Sequence, residues 1–423
     1  MKVTLEGLKD YRVKGQSRGI TSVCSAHPLV LRAALRLGRD TNSSVLIEAT
    51  CNQVNHRGGY TGMQPIDFAQ LVFSLAKEEG CPKDIIILGG DHLGPNPWKI
   101  LPADEAMGEA EKMIAAYVKA GFRKLHIDTS MGCKGEPIAL DDELVSQRAV
   151  RLIKKAEEIA KDSDQSLPLY IIGTEVPPPG GADHDITSLE PTRPEAVKRT
   201  YSVHQDALHK AGLEDVISRL LGIVVQPGVE FGNWNIVQYD SAKAQRLSTF
   251  LNDNPNLVFE AHSTDYQGTC SLSQLVQDGY AILKVGPELT FAVRECLFAL
   301  DLIASELFEN YPNRNLSNNL EQLMLEKPDY WNSHYHGNDH ERYLLRHYSF
   351  SDRIRYYWTD PVARNCVEKL LTILNGVIVP LPLIMQYLPG AEHFAQNNFD
   401  PEEVIIWYVQ KVLGSYNQAC HLN

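Results

Sequence analysis

The feature that most constrains this chain is a recurrence. Eight times, a short apolar run ends in small or polar residues and gives way to a segment with helical spacing; the runs are residues 19–25, 45–50, 85–90, 125–130, 169–175, 223–228, 257–262 and 282–287. Runs rich in β-branched residues and closed by glycine read as strands buried on both faces. The segments between them carry apolar residues on one stripe, as Met107, Ala110, Ile114 and Tyr117 do. Eight such alternations predict an α/β chain with a (β/α)8 TIM barrel over residues 1–307. A doubly wound open sheet is the rival, but its first strand normally leads into a glycine fingerprint, and Cys24-Ser25-Ala26-His27-Pro28 is not one. From about residue 308 the alternation stops. Residues 308–423 hold Trp331, Tyr335, Tyr343, Tyr348, Tyr356, Tyr357 and Trp358, then apolar helical stretches at 370–374 and 404–412. They predict a mainly helical C-terminal extension packed on the barrel.

Composition narrows the function classes. With 423 residues and 43% hydrophobic content, a large core is available, and a net charge of -13 argues against a nucleic-acid partner. The eight cysteines are scattered and form no C-x-x-C pair, which favours reduced thiols and a cytoplasmic chain over a disulfide scaffold or zinc ribbon. No run reaches transmembrane length, so no membrane role is expected, and nothing suggests export.

In a barrel, chemistry belongs to the C-terminal ends of the strands. The polar residues expected there are Asn52, Gln53, Asn55, His56 and Arg57 after the second run, Asp91 and His92 after the third, His126, Asp128 and Ser130 on the fourth, and Glu175 on the fifth. Gln226 and Glu230 follow the sixth, Glu260 to Asp265 the seventh, and Lys284 and Gly286 the eighth. Strand parity puts Glu260 and His262 on one face, and His126 and Asp128 likewise. Buried acids and imidazoles are costly unless paired or metal-bound. A satisfied polar core accounts for any one of them; their convergence favours a divalent-metal site. His92 and His262 suit zinc, with Glu230, Glu175 or Asp128 as oxygen ligands, and Asp91 is placed to move a proton. A phosphate site is expected at the loops Ser263-Thr264-Asp265-Tyr266-Gln267 and Gly286-Pro287-Glu288-Leu289-Thr290, the second of which opens a helix, although its Glu288 is unfavourable. The pair His336 and His340 reads as a solvated helix face, and Arg353 and Arg355 either reach a ligand or pair with acids.

Long motifs then bring a family into view: Gly89-Gly90-Asp91-His92-Leu93-Gly94-Pro95, His126-Ile127-Asp128-Thr129-Ser130-Met131, Gly173-Thr174-Glu175-Val176-Pro177, Gln226-Pro227-Gly228-Val229-Glu230-Phe231, Glu260-Ala261-His262-Ser263-Thr264-Asp265-Tyr266-Gln267 and Ser351-Asp352-Arg353-Ile354-Arg355-Tyr356-Tyr357-Trp358. The chain resembles, over nearly its whole length, the accessory subunit of class II D-tagatose-1,6-bisphosphate aldolase, the GatZ/KbaZ family. The resemblance implies a TIM barrel related to class II aldolases and a non-catalytic subunit that activates a separate aldolase chain in galactitol, N-acetylgalactosamine or tagatose catabolism. It also implies a sugar or sugar-phosphate ligand. Asp91-His92 looks like the proton-shuttling Asp and first zinc His of those aldolases, and His262 like a later zinc His. Their remaining His, near strand six, has no counterpart, Gln226 and Glu230 standing there instead. Such a site suits zinc, manganese or nickel, with Asp91, Glu175 and Asp128 as catalytic groups. Substrate would fall to Asn52, Arg57, Gln226, Ser263, Thr264, Asp265, Lys284 and Gly286. A kinase is excluded by the lack of G-x-x-x-x-G-K-[ST]. The alternative to the accessory role is a metal-dependent 4-epimerase relating tagatose to fructose, or their phosphates, by retro-aldol and aldol steps. A homo-oligomer fits either role.

Overall fold

The computed structural model describes residues 3–163, 165–173, 189–395 and 398–421. Eight parallel strands close into a barrel: β1 (Ile20–Val23), β2 (Val45–Thr50), β3 (Ile86–Leu93), β4 (Lys124–Ile127), β5 (Leu169–Ile172), β6 (Leu220–Val225), β7 (Val258–Ala261) and β8 (Ile282–Val285). Each pairs with its neighbours in the chain, and β1 meets β8 in register from Ile20↔Ile282 to Val23↔Val285. The expected (β/α)8 barrel is therefore the fold. A short antiparallel ribbon, Glu230–Phe231 with Ile236–Val237, lies outside the barrel ladder.

The N-terminal end is sealed by apolar side chains. Val3, Leu5 and Leu8 cluster with Ile20, Leu46, Ile171, Val224, Val258 and Ile282, forming a dry plug beneath the strands.

One local departure matters for chemistry. β3 does not stop at its glycines but runs on to Leu93, and its pairing with β4 slips between Gly90 and Leu93. A bulge of this kind re-aims side chains. Within it His92 takes φ 50°, a left-handed conformation costly for a residue with a Cβ, and Ser263 takes φ 54° directly after β7. The glycines beside the bulge are steric requirements. A Cβ on Gly89 would sit 2.8 Å from Glu48 Cγ, and one on Gly94 would sit 1.6 Å from the Asp128 carbonyl oxygen.

The helices include α1 (Pro28–Thr41), α2 (Gly268–Gln277) and α3 (Pro287–Leu307), and the later part of the chain adds Asn315–Glu326, Asp339–Tyr348, α4 (Pro361–Leu374), Leu381–Tyr387 and α5 (Pro401–Cys420). α5 packs against α1, α2 and α3, across the seam where the barrel closes. Its end is tied to β1 by the Gly19 N–H, which donates to the Cys420 carbonyl at 3.0 Å. The Tyr416 hydroxyl of α5 donates to the Thr264 carbonyl at 2.7 Å. Among the described residues, no helix is long and apolar enough to cross a membrane, and all eight cysteines are free.

Two carboxyls lie under this tie. Asp265 Oδ1 accepts from the amides of Gly286 (3.0 Å) and Glu288 (2.8 Å), and Glu288 accepts from the Tyr266 amide at 2.7 Å. Burial, then repulsion from Asp265, pushes Glu288 up to about 8, and burial pushes Asp265 up to about 6. An unfolded glutamate loses its proton near ~4.3. As pH rises from there towards 8 the unfolded chain releases the proton first, so stability falls across that window. The thermal midpoint of the wild type should therefore decline from pH 5.5 to 8, and E288Q, which retains an acceptor for Tyr266, should decline less steeply. Matching slopes for the two proteins would refute this account of Glu288.

Candidate active site

The barrel interior holds charge where most barrels hold apolar layers. Lys124 Nζ, fully buried on β4, sits 2.5 Å from Glu48 Oε1 of β2 and 2.6 Å from Glu260 Oε2 of β7. Those strands are not neighbours, so the contacts cross the barrel. Above it, Lys284 of β8 bonds Glu48, lies 2.8 Å from Asp91 Oδ1 and 3.9 Å from Glu260 Oε1. Burial alone would favour neutral lysines. The surrounding carboxylates outweigh it, holding Lys124 above and Lys284 well above the usual range. Lys284 is thus an ammonium ion, unsuited to Schiff-base chemistry.

On this platform three imidazoles meet. The ring centroids of His92, His126 and His262 are 4.9 to 5.0 Å apart in every pair. Each ring has one nitrogen bonded to a carboxylate. His92 Nδ1 is 2.8 Å from Asp128 Oδ2, His126 Nδ1 is 2.8 Å from Asp91 Oδ1, and His262 Nε2 is 2.9 Å from Glu260 Oε1. Asp128 is fixed in turn by the amide and hydroxyl of Ser130. Against burial, the positive charge of His92 and Lys284 keeps Asp91 well below the usual carboxylate range. The His126 Nδ1 that faces Asp91 also receives the His92 amide N–H at 3.1 Å; in the tautomer that gives the Nδ1 proton to Asp91, Nε2 keeps a lone pair. That Nε2 is buried and has no hydrogen-bond partner among the described residues. Burial holds His262 down to about 3, hence neutral.

This donor set suits a cation. Ligand atoms of Asp91, His92, His126 and His262 all lie within 4.8 Å of one another. A carboxylate on the far nitrogen of each imidazole is the outer-shell pattern of metal-binding histidines. Charge points the same way. Four carboxylates (Glu48, Asp91, Asp128, Glu260) face two lysines (Lys124, Lys284) and a protonated His92, which leaves one negative charge; a dication that displaced the His92 proton would balance the set. The orphaned His126 nitrogen and this imbalance fit a divalent metal.

The structure distributes the sequence-predicted residues unevenly. Asp91, His92 and His262 converge, and Asp128 holds His92 from behind. Asn52, Ser263, Asp265, Lys284 and Gly286 line one cavity of about 870 Å³ together with Asp91, His92 and His262. Arg57 does not line it; largely exposed, it pairs with Glu109 at 2.7 Å. Gln226 closes a turn, accepting from the amides of Gly228 and Val229. Thr264 donates to the Lys284 carbonyl at 2.7 Å, a brace between strands. Glu230 opens the outer ribbon and is not among the converging ligands, where His126 stands instead. Glu175 falls outside the described residues. The amides expected to cradle phosphate at Gly286 and Glu288 are occupied by Asp265. His336 and His340 are exposed, as a solvated face requires.

Sequence reasoning faced His126 into the barrel without naming it a ligand, and it overlooked Glu48 and Lys124. His126 supplies the third imidazole from β4, although its parity with Asp128 already aimed it inward. Glu48 and Lys124 form the platform; a lone acid inside an apolar strand, and a lysine one parity step before His126, were the available signals.

Comparison with known proteins places the chain. A protein from Agrobacterium fabrum described as D-tagatose 6-phosphate 4-epimerase is 53% identical over 419 residues, covering 99% of both chains. A crystal structure described as a probable tagatose 6 phosphate kinase from Sinorhizobium meliloti 1021 superposes with a TM-score of 0.87 at 50% identity, covering 95% of this chain and 100% of that one. A fructuronate-tagaturonate epimerase from Cohnella laeviribosi shares the fold at 13% identity, with a TM-score of 0.50 over 95% of this chain and 81% of that one. The family described as D-tagatose-1,6-bisphosphate aldolase subunit GatZ/KbaZ-like matches residues 5–421. At that coverage, and with a relative this similar along its full length, the chain belongs to the GatZ/KbaZ-like family.

Proposed function

We propose that this protein is a metal-dependent 4-epimerase interconverting D-tagatose 6-phosphate and D-fructose 6-phosphate. The observation that carries the reading is the meeting of three imidazoles beside an ionised Asp91 at the C-terminal ends of the strands, where Asp91, His92 and His262 line one cavity and His126 is fully buried against them. A scaffold gains nothing from such a set, since burying these charges costs several kcal/mol for each ion. The Agrobacterium relative bears the matching name. The accessory role expected from the resemblance gives way for these two reasons. The kinase name attached to the Sinorhizobium structure finds no phosphate-cradling glycine loop in this sequence.

The reaction inverts C4 without redox change. Asp91 takes the proton of the 4-hydroxyl, the C3–C4 bond breaks, and its electron pair passes to the three-carbon fragment as an enediolate. The fragment carrying C4 to C6 is now an aldehyde. It turns to present its other face, C3 attacks, and Asp91 returns the proton to O4. His92, His126 and His262 would hold a divalent cation, which when bound would supply Lewis-acid polarisation of the ketose oxygens; imidazole nitrogens favour zinc, with manganese or nickel also suitable. Lys284, a fixed ammonium ion 2.8 Å from Asp91, keeps that carboxylate ionised and oriented. Asp128 and Glu260 hold their imidazoles in the tautomers that leave the inward nitrogens free.

Two experiments test this. Elemental analysis of the purified protein should find about one divalent ion per chain, and a chelator should remove both the ion and the conversion of D-tagatose 6-phosphate to D-fructose 6-phosphate. H126A should lose the ion while H336A keeps it; an H126A protein with full metal content would remove the third imidazole from the site. D91N should lower kcat by about 10²- to 10⁴-fold, the contribution of a positioned acid–base, with metal still bound. Wild-type protein that only stimulates an added aldolase, and epimerises nothing alone, would restore the accessory reading.

A further inference from the structure

The phosphate of the substrate proposed above lacks its usual seat. The two amides at the start of α3 are bonded to Asp265, and Glu288 stands beside them. A phosphate there would have to displace one carboxylate and face another. Four cationic side chains line the cavity, namely Arg32, Lys284, Arg355 and Arg364. Arg32 is engaged by Glu78 and Glu79, and Lys284 by Glu48 and Asp91. Arg364 is exposed on α4.

Arg355 differs. Its guanidinium donates to the carbonyls of Ser351 and Asp352 and, at 2.9 Å, to the Tyr356 hydroxyl. It lies over the Tyr356 ring, 4.5 Å from the centroid. Among the described residues no carboxylate forms an ion pair with it. The neighbouring acid, Asp352, is buried and committed to Thr290 (2.7 Å) and Arg294 (2.8 Å). These bonds fix the backbone that carries Arg355 and leave its guanidinium without an ion-pair partner among the described residues.

A second group points the same way. Trp358, three residues on, is 8% exposed and lines the same cavity. Its Nε1–H has no acceptor among the described residues. A buried indole N–H is normally satisfied. An oxygen-rich ligand would satisfy it, and the planar fork of an arginine matches phosphate geometry.

We infer that Arg355 and the Trp358 N–H form the phosphate subsite of the sugar cavity, so that the C-terminal extension, rather than the loops after β7 and β8, selects a phosphorylated ketose. The identity of the sugar rests on the epimerase reading; the anion site does not. The test therefore has two arms. In the first, inorganic phosphate is titrated calorimetrically into wild type, R355A, R355K and W358F. Wild type should bind; R355A should bind about 10- to 100-fold more weakly, the range for hydrogen bonds to a charged group, and R355K and W358F should fall between. In the second, kcat/KM is measured on D-tagatose 6-phosphate and on unphosphorylated D-tagatose. The ratio of the two should drop by a similar factor in R355A, mainly through KM. A merely structural arginine would lower both substrates together and leave the ratio unmoved.

Failure of wild type to bind phosphate, or an unchanged ratio in R355A, would overturn the subsite. Loss of phosphate binding in R355A with no epimerisation by wild type would keep the subsite and discard the epimerase. Where a melting curve shows R355A unfolded, R355K and W358F carry the same comparison.

Discussion

The site depends on a buried ion cluster. Lys124 bridges Glu48 and Glu260 across the barrel, and Lys284 bridges Glu48 and Asp91 above it. A cluster like this is a poor source of stability, because desolvating each charge costs about as much as the pairing returns. What it gives is position. Glu260 is held by Lys124 and in turn holds His262; Asp91 is held by Lys284 and in turn holds His126. Two of the three imidazoles are therefore oriented from the barrel floor through chains of charge-assisted bonds, the strongest available to side chains. The third, His92, is oriented from the rim by Asp128 and by the left-handed backbone of the β3 bulge.

The extension belongs to this logic. α5 seals the seam of the barrel and reaches Thr264 through Tyr416, while the segment from Ser351 to Trp358 is pinned to α3 by Asp352. The loops after β7 and β8 are braced from outside by these contacts and capped from within by Asp265. Their amides face a protein carboxylate rather than solvent. The loops share the cavity wall with Arg355, Tyr356 and Trp358 of the extension.

Much of this was legible in the sequence, for reasons that separate cleanly. The eight-fold alternation of apolar runs and amphipathic segments is a one-dimensional pattern, and it specified the barrel. Asp91, His92 and His262 were readable because they end runs whose direction is known. Parity aimed His126 inward, yet a reading guided by the aldolase precedent looked for the third ligand near Gln226 and Glu230, and the bulge that carries β3 past Gly90 has no signature strong enough to register. Glu48 and Lys124 were hidden by their own pairing, since an acid and a lysine on separate strands reveal nothing until the barrel closes and brings them to 2.5 Å. Arg57 and Gln226 failed for the opposite reason. A polar residue after a strand can serve a turn or a surface ion pair as readily as a ligand, and only the folded path decides.

A 4-epimerase that works by breaking C3–C4 meets a demand that an aldolase does not: both fragments must stay while one turns. Retention and rotation pull against each other, since a tight pocket forbids the turn and an open one loses the aldehyde. A cavity of about 870 Å³ lies at the upper end of ordinary ligand sites and leaves room to turn. Retention then has to come from an anchor rather than from fit. A phosphate on the aldehyde fragment is such an anchor, provided its partner sits on a wall independent of the metal-binding strands. Arg355 is carried by the extension and stiffened by its own backbone bonds, so the two fragments would be gripped by different parts of the fold. Were phosphate fixed at that wall and the three-carbon fragment held among the imidazoles, the bonds between C4 and the phosphate would be those left free to rotate, and inversion at C4 would follow from where the two grips are placed.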